Sequence, residues 1–166
     1  KGWGCFQNLN SCLINTNKSR GICILGAMKL HILRHAETAS FSTSGKDIDR
    51  KLEPIGIRQA TAMRQYFTGI QSIDNVWSSA ASRTKETSAI VLNESHPEPI
   101  FYVELHLASV QVLLQKIWGF ESKGELLIIG HNFGVSDLVN YYTDENISLN
   151  TAEYVCIEFK EIFSSV

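Results

Sequence analysis

Two histidines and two arginines have the types and positions that phosphate chemistry requires. His35 and His131 each come at the end of a short apolar run that is typical of a buried strand. Arg34 precedes His35, and Arg83 lies just past the end of another such run. A neutral imidazole can attack phosphorus, and the planar fork of arginine fits the oxygens of a phosphoryl group. If the fold brings the four side chains together, they form a positive pocket for an anionic ligand.

The elements that must position these residues follow from the alternation of short apolar runs with amphipathic stretches. This alternation predicts an α/β fold with three layers, in which helices flank a central, mostly parallel sheet of about five strands. Sites in such sheets form at the carboxyl ends of the strands, where His35 and His131 would face one substrate. Strands are expected at residues 29–33, 74–78, 100–103, 125–130 and 154–159, and helices over 54–67, 82–92, 110–118 and 132–142, with Asn132 as the cap of the last helix.

Position alone leaves a second interpretation open for each histidine. Taken singly, either His35 or His131 could be an incidental polar residue at the end of a strand. His31 stands inside the first predicted strand, where a packed or surface histidine is expected, and His96 stands beside a proline in a predicted loop. The arginines next to the two strand-end histidines favour the phosphate site.

Composition and charge exclude several classes of protein. The chain has 166 residues, of which 44% are hydrophobic and 19% are charged, enough for the core of one domain and too little charge for a disordered chain. A net charge of −2 provides no general attraction to nucleic acid or to an anionic membrane. No apolar run approaches the roughly 18–20 residues that span a bilayer. We therefore expect neither nucleic acid nor a membrane as a partner.

The first 27 residues differ from the rest of the chain. Residues 1–27 carry three basic and no acidic residues, whereas residues 28–166 carry 12 basic and 17 acidic residues, a net charge of −5. The segment could be an extension, a fragment of a targeting sequence, or sequence upstream of a start at Met28. We expect a poorly ordered or dispensable extension, with the functional domain over residues 28–166. That domain has a single cysteine, Cys156, which suits a reducing cytoplasm.

Four sequence blocks together resemble the signature motifs of the histidine phosphatase superfamily. The first block surrounds His35, the third contains Arg83, and the fourth contains His131. They occur in the superfamily's order across nearly all of residues 28–166. The resemblance implies a phosphoglycerate mutase-like fold. The blocks are residues 33–37, 49–60, 76–87 and 129–132.

Within that superfamily, the chain is most similar to the small SixA-type branch of phosphohistidine phosphatases. Residues 130–138 and the closing run at 155–159 carry this likeness. Residues 28–166 have no room for the long helical insertions of the sugar-phosphate mutases, so the pocket would be open to a phosphorylated side chain of another protein. The resemblance implies phosphohistidine on a signalling or phosphotransfer protein as the substrate. Alternatives are a small phosphoester, or a catalytically silent domain that binds phosphate.

The resemblance also implies roles for individual residues. His35 attacks phosphorus and forms a phosphohistidine that water then hydrolyses. Arg34 and Arg83 bind the phosphoryl oxygens, and His131, held cationic by the phosphate, adds a third positive donor. Asn132 and the helix start behind it add backbone N–H groups. No metal or other cofactor is needed, because the cationic side chains stabilise the charge.

The proton donor is less well defined by these motifs. The superfamily takes an acidic residue from the loop after the third strand, which corresponds to Glu104 here. His106, two residues later, could assist, or both could be bystanders. Three positions where the superfamily usually has proline carry other residues, and none of them is a phosphate ligand in this scheme. These positions are Lys51, Ala80 and Phe133.

Overall fold

The computed structural model describes residues 13–16, 28–70, 72–120 and 124–159. They form one six-stranded sheet with four helices packed on it. The strands are β1 (Leu13–Thr16), β2 (Met28–Arg34), β3 (Ile73–Ser79), β4 (Ile100–Tyr102), β5 (Glu125–Gly130) and β6 (Tyr154–Phe159). The helices are α1 (Pro54–Phe67), α2 (Ser82–Val91), α3 (Val110–Trp118) and α4 (Gly134–Thr143).

The sheet is mostly parallel, with strand order β1-β6-β2-β5-β3-β4. Strands β2, β5, β3 and β4 run parallel to one another, and β6 is antiparallel to β2. Five of the six strands lie within residues 28–166, so the predicted mostly parallel sheet of about five strands is confirmed. Because the parallel strands share one direction, their carboxyl ends lie at one edge of the sheet.

The sixth strand comes from the N-terminal segment. Backbone groups of β1 pair in parallel with β6 at the edge of the sheet. The sequence of this segment has no periodic pattern of apolar residues, so it did not predict this strand. The remainder of residues 1–27 lies outside the described residues, so the dispensability of the segment stays a prediction.

The central strands are apolar along their whole length because helices cover both faces of the sheet. In β5, Leu126 and Ile128 belong to the core formed with α3 and α4, whereas Leu127 and Ile129 belong to the core formed with α1 and α2. All four side chains are at most 1% exposed. A continuous apolar run, rather than an alternating one, is what a parallel strand buried on both faces requires. The predicted three layers are therefore confirmed.

Most predicted element ends agree with the structure to within one residue, but the start of α4 does not. The helix begins at Gly134, and no side chain caps it, so the prediction that Asn132 is its cap is wrong. The Oδ1 atom of Asn132 instead accepts a hydrogen bond from Ser136. A Cβ atom on Gly134 would collide with the carbonyl oxygen of Ala108, so this helix start needs a glycine to approach the loop before α3.

Within the described ranges, no helix has the length and hydrophobicity needed to cross a membrane.

Candidate active site

The carboxyl ends of the four parallel strands bring together the residues that were predicted to bind phosphate. Strand β2 ends at Arg34 and is followed at once by His35, and β5 is followed by His131. Arg83 stands in the first turn of α2, which follows β3. His106 follows a short 3-10 turn that continues β4. Each of the four parallel strands therefore contributes to the site, and β2 contributes both Arg34 and His35.

The two strand-end histidines lie side by side. The ring centroids of His35 and His131 are 5.0 Å apart, and the ring planes are tilted by 60°. The backbone N–H of His35 donates to the carbonyl of Gly130 at 3.1 Å, which joins the ends of β2 and β5. Both rings are buried, with 8% of His35 and 3% of His131 exposed. The structure thus brings the two predicted histidines to one place.

The surroundings of His35 leave one ring nitrogen free as a nucleophile. Its Nδ1 atom is 2.8 Å from the carbonyl oxygen of Ala36. Because a carbonyl only accepts, Nδ1 carries the proton and Nε2 keeps its lone pair. Burial, reinforced by the charges of Arg83 and Arg34, lowers the pKa of His35 to about 4. The ring is therefore neutral at pH 7.

A contact with Arg83 fixes the protonation state of His131. The Nε–H of Arg83 donates to Nδ1 of His131 at 3.2 Å, so the proton of this imidazole is on Nε2. Burial and then the positive charge of Arg83 lower the pKa of His131 to about 2. The ring is neutral in this structure, which differs from the cationic state expected with phosphate bound. The Nε2–H group remains a donor in either state.

Two buried donors at the site have no acceptor within the part of the chain that the structure describes. Arg34 donates from Nη1 to the carbonyl of Leu149 at 2.7 Å, but its Nε atom has no partner among the described residues. The Nε2 atom of His131 is likewise buried without a described partner. Leaving a buried donor unpaired costs about 1–3 kcal/mol. An oxyanion is an acceptor that can satisfy donors of this kind.

Several hydroxyl groups hold the start of α2, and with it Arg83, in place. The Thr84 hydroxyl donates to the Ser79 carbonyl at 2.8 Å, where β3 ends. The Thr87 hydroxyl donates to the carbonyl of Arg83 at 2.7 Å and accepts from the backbone N–H of Ala36 at 3.1 Å. The last contact ties α2 to the residue that follows His35. Ala80, which replaces a usual proline, leaves this arrangement intact.

Sequence reasoning missed Asp47, which lies in the loop between β2 and α1. Its Oδ2 atom accepts from Nη2 of Arg83 at 2.8 Å and lies 2.9 Å from Nε2 of His106. Its backbone carbonyl accepts from Nη1 of Arg83 at 2.7 Å, and Oδ1 accepts from Arg50 at 2.9 Å. Burial raises the pKa of Asp47, but hydrogen bonds from Arg50, His106 and Arg83 outweigh it and hold this pKa well below its usual range. Asp47 is thus an ionised carboxylate among cationic and imidazole groups.

Arg50 fastens the loop that carries Asp47. Its Nε donates to the carbonyl of Ala39 at 2.6 Å, and its Nη2 donates to the hydroxyl of Thr38 at 2.8 Å. Arg50 therefore ties the end of the loop to its beginning, close behind His35. The sequence gave only a weak signal for the contact between Asp47 and Arg83, because the polar loop has no periodicity and the two residues are 36 positions apart.

Glu104, the expected proton donor, does not join this cluster. Its side chain is 56% exposed and pairs with Lys116 of α3 at 3.1 Å. A backbone hydrogen bond and the contact with Lys116 lower the pKa of Glu104. The carboxylate makes no contact with His35, Arg83 or His131.

The side chain of Asn132 is engaged in the loop after α4. Its Nδ2 group donates to the carbonyl of Leu149 at 2.8 Å and to the hydroxyl of Ser148 at 3.4 Å. Both amide hydrogens already have acceptors, so a phosphate contact by Asn132 stays a prediction that depends on its backbone N–H. The same Leu149 carbonyl orients Arg34.

Comparison with known proteins agrees with the motifs. The sequence profile of the histidine phosphatase superfamily (branch 1) matches residues 30–106. No curated protein sequence matched the chain. Among solved structures, the protein histidine phosphatase SixA complexed with tungstate is similar with a TM-score of 0.66 and 21% identity, over 78% of this chain and 86% of that one.

Two further solved structures share the fold. A candidate phosphohistidine phosphatase SixA from Nakamurella multipartitia is 25% identical, with a TM-score of 0.62, over 80% of this chain and 85% of its own. A candidate alpha-ribazole-5'-P phosphatase from Escherichia coli K-12 is 16% identical, with a TM-score of 0.64, over 78% of this chain and 89% of its own.

The three-layer sheet with a histidine pair at its carboxyl edge defines a phosphoglycerate mutase-like α/β protein. The ordered motifs and the profile match over residues 30–106 are more specific, and they show that the chain is similar to the histidine phosphatase superfamily.

Proposed function

We propose that the chain is a phosphatase that passes the phosphoryl group through His35 and that dephosphorylates phosphohistidine on a signalling or phosphotransfer protein. One observation carries the proposal. The ring of His35 has a free lone pair on Nε2 and lies beside the ring of His131. The Nε2–H of His131 and the Nε–H of Arg34 are buried donors without a partner among the described residues. A nucleophile beside unpaired buried donors suits the transfer of an anionic group.

In the first step, Nε2 of His35 attacks phosphorus in line with the leaving group. Phosphoryl transfer requires mainly positioning and the stabilisation of charge on the equatorial oxygens. Arg34 and His131 supply donors to these oxygens. Arg83 supports His131 through its Nε–H and adds a buried positive charge. In this way side chains provide the electrostatic stabilisation for which other phosphatases use a metal ion.

In the second step, water attacks the phosphohistidine and inorganic phosphate leaves. The hydrogen bond from Nδ1 of His35 to Ala36 keeps the ring in the same tautomer, so that Nε2 is again the free atom after hydrolysis. Neutral His35 also argues against the catalytically silent alternative, because its nucleophilic form is the one populated at pH 7.

The surface near the site supports a protein as the substrate. Exposed apolar side chains occur on the loops that follow three of the parallel strands, with Phe41 88%, Leu107 55% and Phe133 77% exposed. Apolar side chains on the rim of a site are typical of protein–protein contacts. The likeness to proteins named phosphohistidine phosphatases points to the same class of substrate.

A small phosphoester is the second candidate substrate. The likeness to a candidate alpha-ribazole-5'-P phosphatase favours it, with a TM-score of 0.64. The two candidates share every proposed catalytic residue. They differ in the size of the substrate that the rim of the site must accommodate. Comparing hydrolysis rates on the two kinds of substrate is therefore the direct test.

Hydrolysis of an aryl phosphate in the presence of EDTA tests the chemistry. We expect activity in the wild type, none in His35→Ala, and retained activity in the matched control His96→Gln, which changes a histidine outside the site. Rates on a phosphohistidine carrier protein and on a panel of small phosphomonoesters then identify the substrate class. Preference for the small esters would overturn the protein substrate, and loss of activity on chelation would overturn the metal-independent scheme.

We also propose that residues 28–166 are the catalytic domain and that the compartment is the cytoplasm. Cys156 is free and buried, which suits a reducing environment. Deletion of residues 1–27 removes the backbone pairing between β1 and β6, at the edge of the sheet farthest from β4. We expect the shortened chain to fold and to keep its activity, as measured by thermal unfolding and aryl phosphate hydrolysis. A large drop in melting temperature would contradict this.

A further inference from the structure

His106 lies beside the histidine pair at the candidate active site. Its ring centroid is 5.5 Å from that of His131, and the two planes are nearly perpendicular, at 83°. The side chain of His106 is 22% exposed, so it stands between the buried cluster and solvent. The leaving group of a bulky substrate must pass the boundary between the site and solvent, and the side chain of His106 lies at this boundary.

The contact with Asp47 determines which nitrogen of His106 is available. The Oδ2 atom of Asp47 is 2.9 Å from Nε2 of His106. An ionised carboxylate only accepts hydrogen bonds, so Nε2 carries a proton. Nδ1 makes no hydrogen bond with any described residue and is free for a substrate. Donation of a proton from Nδ1 requires the imidazolium form, in which both ring nitrogens carry a proton.

The backbone on the C-terminal side of His106 packs against the start of α4. Leu107 has a φ of 51°, in the left-handed region that is unfavourable for a residue with a β-carbon. Ala108 packs its carbonyl against Gly134 so closely that a Cβ atom there would collide with it. This packing fixes the loop against the start of α4, three residues after His131. The segment that follows His106 is therefore packed closely against the start of α4.

We propose that His106, oriented by Asp47, donates the proton to the leaving group. This inference rests on the proposed function and names a catalytic residue for it. His106 is the group that contacts the leaving atom, and Asp47 is a positioning residue that acts through it. Glu104 is replaced in this role because its carboxylate is exposed and paired with Lys116.

The proposed proton transfers balance over the two steps. As the bond from Nε2 of His35 to phosphorus forms, the bond from phosphorus to the leaving oxygen or nitrogen breaks, and that atom takes the proton from Nδ1 of His106. Water then forms the new bond to phosphorus, the bond to His35 breaks, and the proton lost by water returns to Nδ1 of His106. Asp47 stays ionised throughout, stabilised by Arg83 and Arg50.

A series of phosphate esters with different leaving groups tests this role. A dinitrophenyl ester needs no proton on its leaving group, whereas an alkyl ester does. For His106→Gln we expect kcat/KM to fall about 100-fold or more on the alkyl ester and to stay within about threefold on the dinitrophenyl ester, because a general acid acts only where a proton is needed. An equal loss on both esters would indicate a structural role and overturn the proposal.

Variants of neighbouring carboxylates sharpen the test. Glu104→Gln is the competing arm, and a larger dependence on the leaving group in this variant than in His106→Gln would also overturn the proposal. Asp47→Asn should show the same selective loss on the alkyl ester to a smaller extent, whereas Asp49→Asn, in the same turn, should not. Thermal unfolding measures whether each variant is folded. If His106→Gln does not fold, the loss of activity in Asp47→Asn provides the test instead.

Failure of the proposed function gives a different pattern. In that case the wild type would hydrolyse neither the esters nor a phosphohistidine protein, or His35→Ala would remain active on all of them. An active wild type that depends on His35, combined with a His106→Gln variant that loses both esters equally, would overturn only the role of His106.

Discussion

Two buried histidines of this protein, His31 and His131, are equally inaccessible and differently partnered. Each is 3% exposed. Within β2, the Nδ1 atom of His31 is 2.6 Å from the Tyr154 hydroxyl and its Nε2 atom is 2.9 Å from the carboxylate of Glu125. At the carboxyl edge of the sheet, His131 has one nitrogen paired with Arg83 and the other without a described partner.

The difference teaches that burial alone does not mark a functional histidine. Burial lowers the pKa of both rings. A polar cluster that satisfies every atom, such as that around His31, stabilises the fold and has no donor left for a ligand. An unpaired donor in a buried position has a cost that binding can recover. We therefore expect the two histidines to respond oppositely to substitution.

The largest expected effect is on activity at the carboxyl edge. His131→Asn removes the Nε2–H donor to the oxyanion, so we expect kcat on an aryl phosphate to fall about 100- to 1000-fold. The melting temperature should change little, because the lost donor has no partner among the described residues and the Oδ1 atom of Asn can accept from Arg83 in place of Nδ1. Two outcomes would mean that His131 is a structural histidine like His31. One is unchanged turnover, and the other is a large loss of stability while turnover per folded molecule is retained.

Acid should destabilise the protein through its buried histidines. The pKa of His35 is lowered from 6.5 to about 4, so the unfolded chain binds a proton before the folded one as the pH falls. Stability is therefore retained above pH 6.5 and lost between about pH 6.5 and 4, by on the order of 3 kcal/mol for this group. His31 and His131 contribute in the same direction.

Urea unfolding at several pH values measures this loss. The variant His35→Gln has no titrating group at this position, and its stability should decline less steeply over the same range. Parallel curves for the variant and the wild type would mean that His35 titrates alike in the folded and unfolded states.

The smallest expected effect concerns the satisfied cluster in β2. His31→Gln breaks the pair of hydrogen bonds to Tyr154 and Glu125 and should lower the free energy of unfolding by about 1–3 kcal/mol. Turnover per folded molecule should stay within about twofold of the wild type, since these partners lie outside the catalytic cluster. Chemical denaturation and the hydrolysis assay measure the two quantities on one preparation, and a catalytic defect at full stability would break the distinction.

The parts of the fold and site that could be predicted are those encoded by a local pattern. The apolar run of β5 and the helical spacing in α3 each mark an element without knowledge of its neighbours. His35 and His131 stand directly after such runs, so their meeting follows from the shared edge of a parallel sheet. Arg34 and Arg83 were found in the same way.

The rest depended on contacts that no local pattern encodes. Asp47 meets Arg83 and His106 only because the loop before α1 folds back over the site, and this loop has no period. The direction of the Glu104 side chain depends on a 3-10 turn, Val103–Leu105. This turn buries Leu105 and leaves Glu104 exposed. Asn132 was misassigned as a cap because the sequence does not show that Phe133 lies between it and α4, which begins at Gly134.

The central claim is that the phosphoryl group passes through Nε2 of His35. Its most direct test is to mix the enzyme with a radiolabelled phosphate substrate, quench in alkali, and map the labelled peptide. We expect an acid-labile label on His35, transient in the wild type and absent from His35→Ala, with the site otherwise folded. Turnover without a labelled intermediate, or a label on His131 instead, would contradict the account.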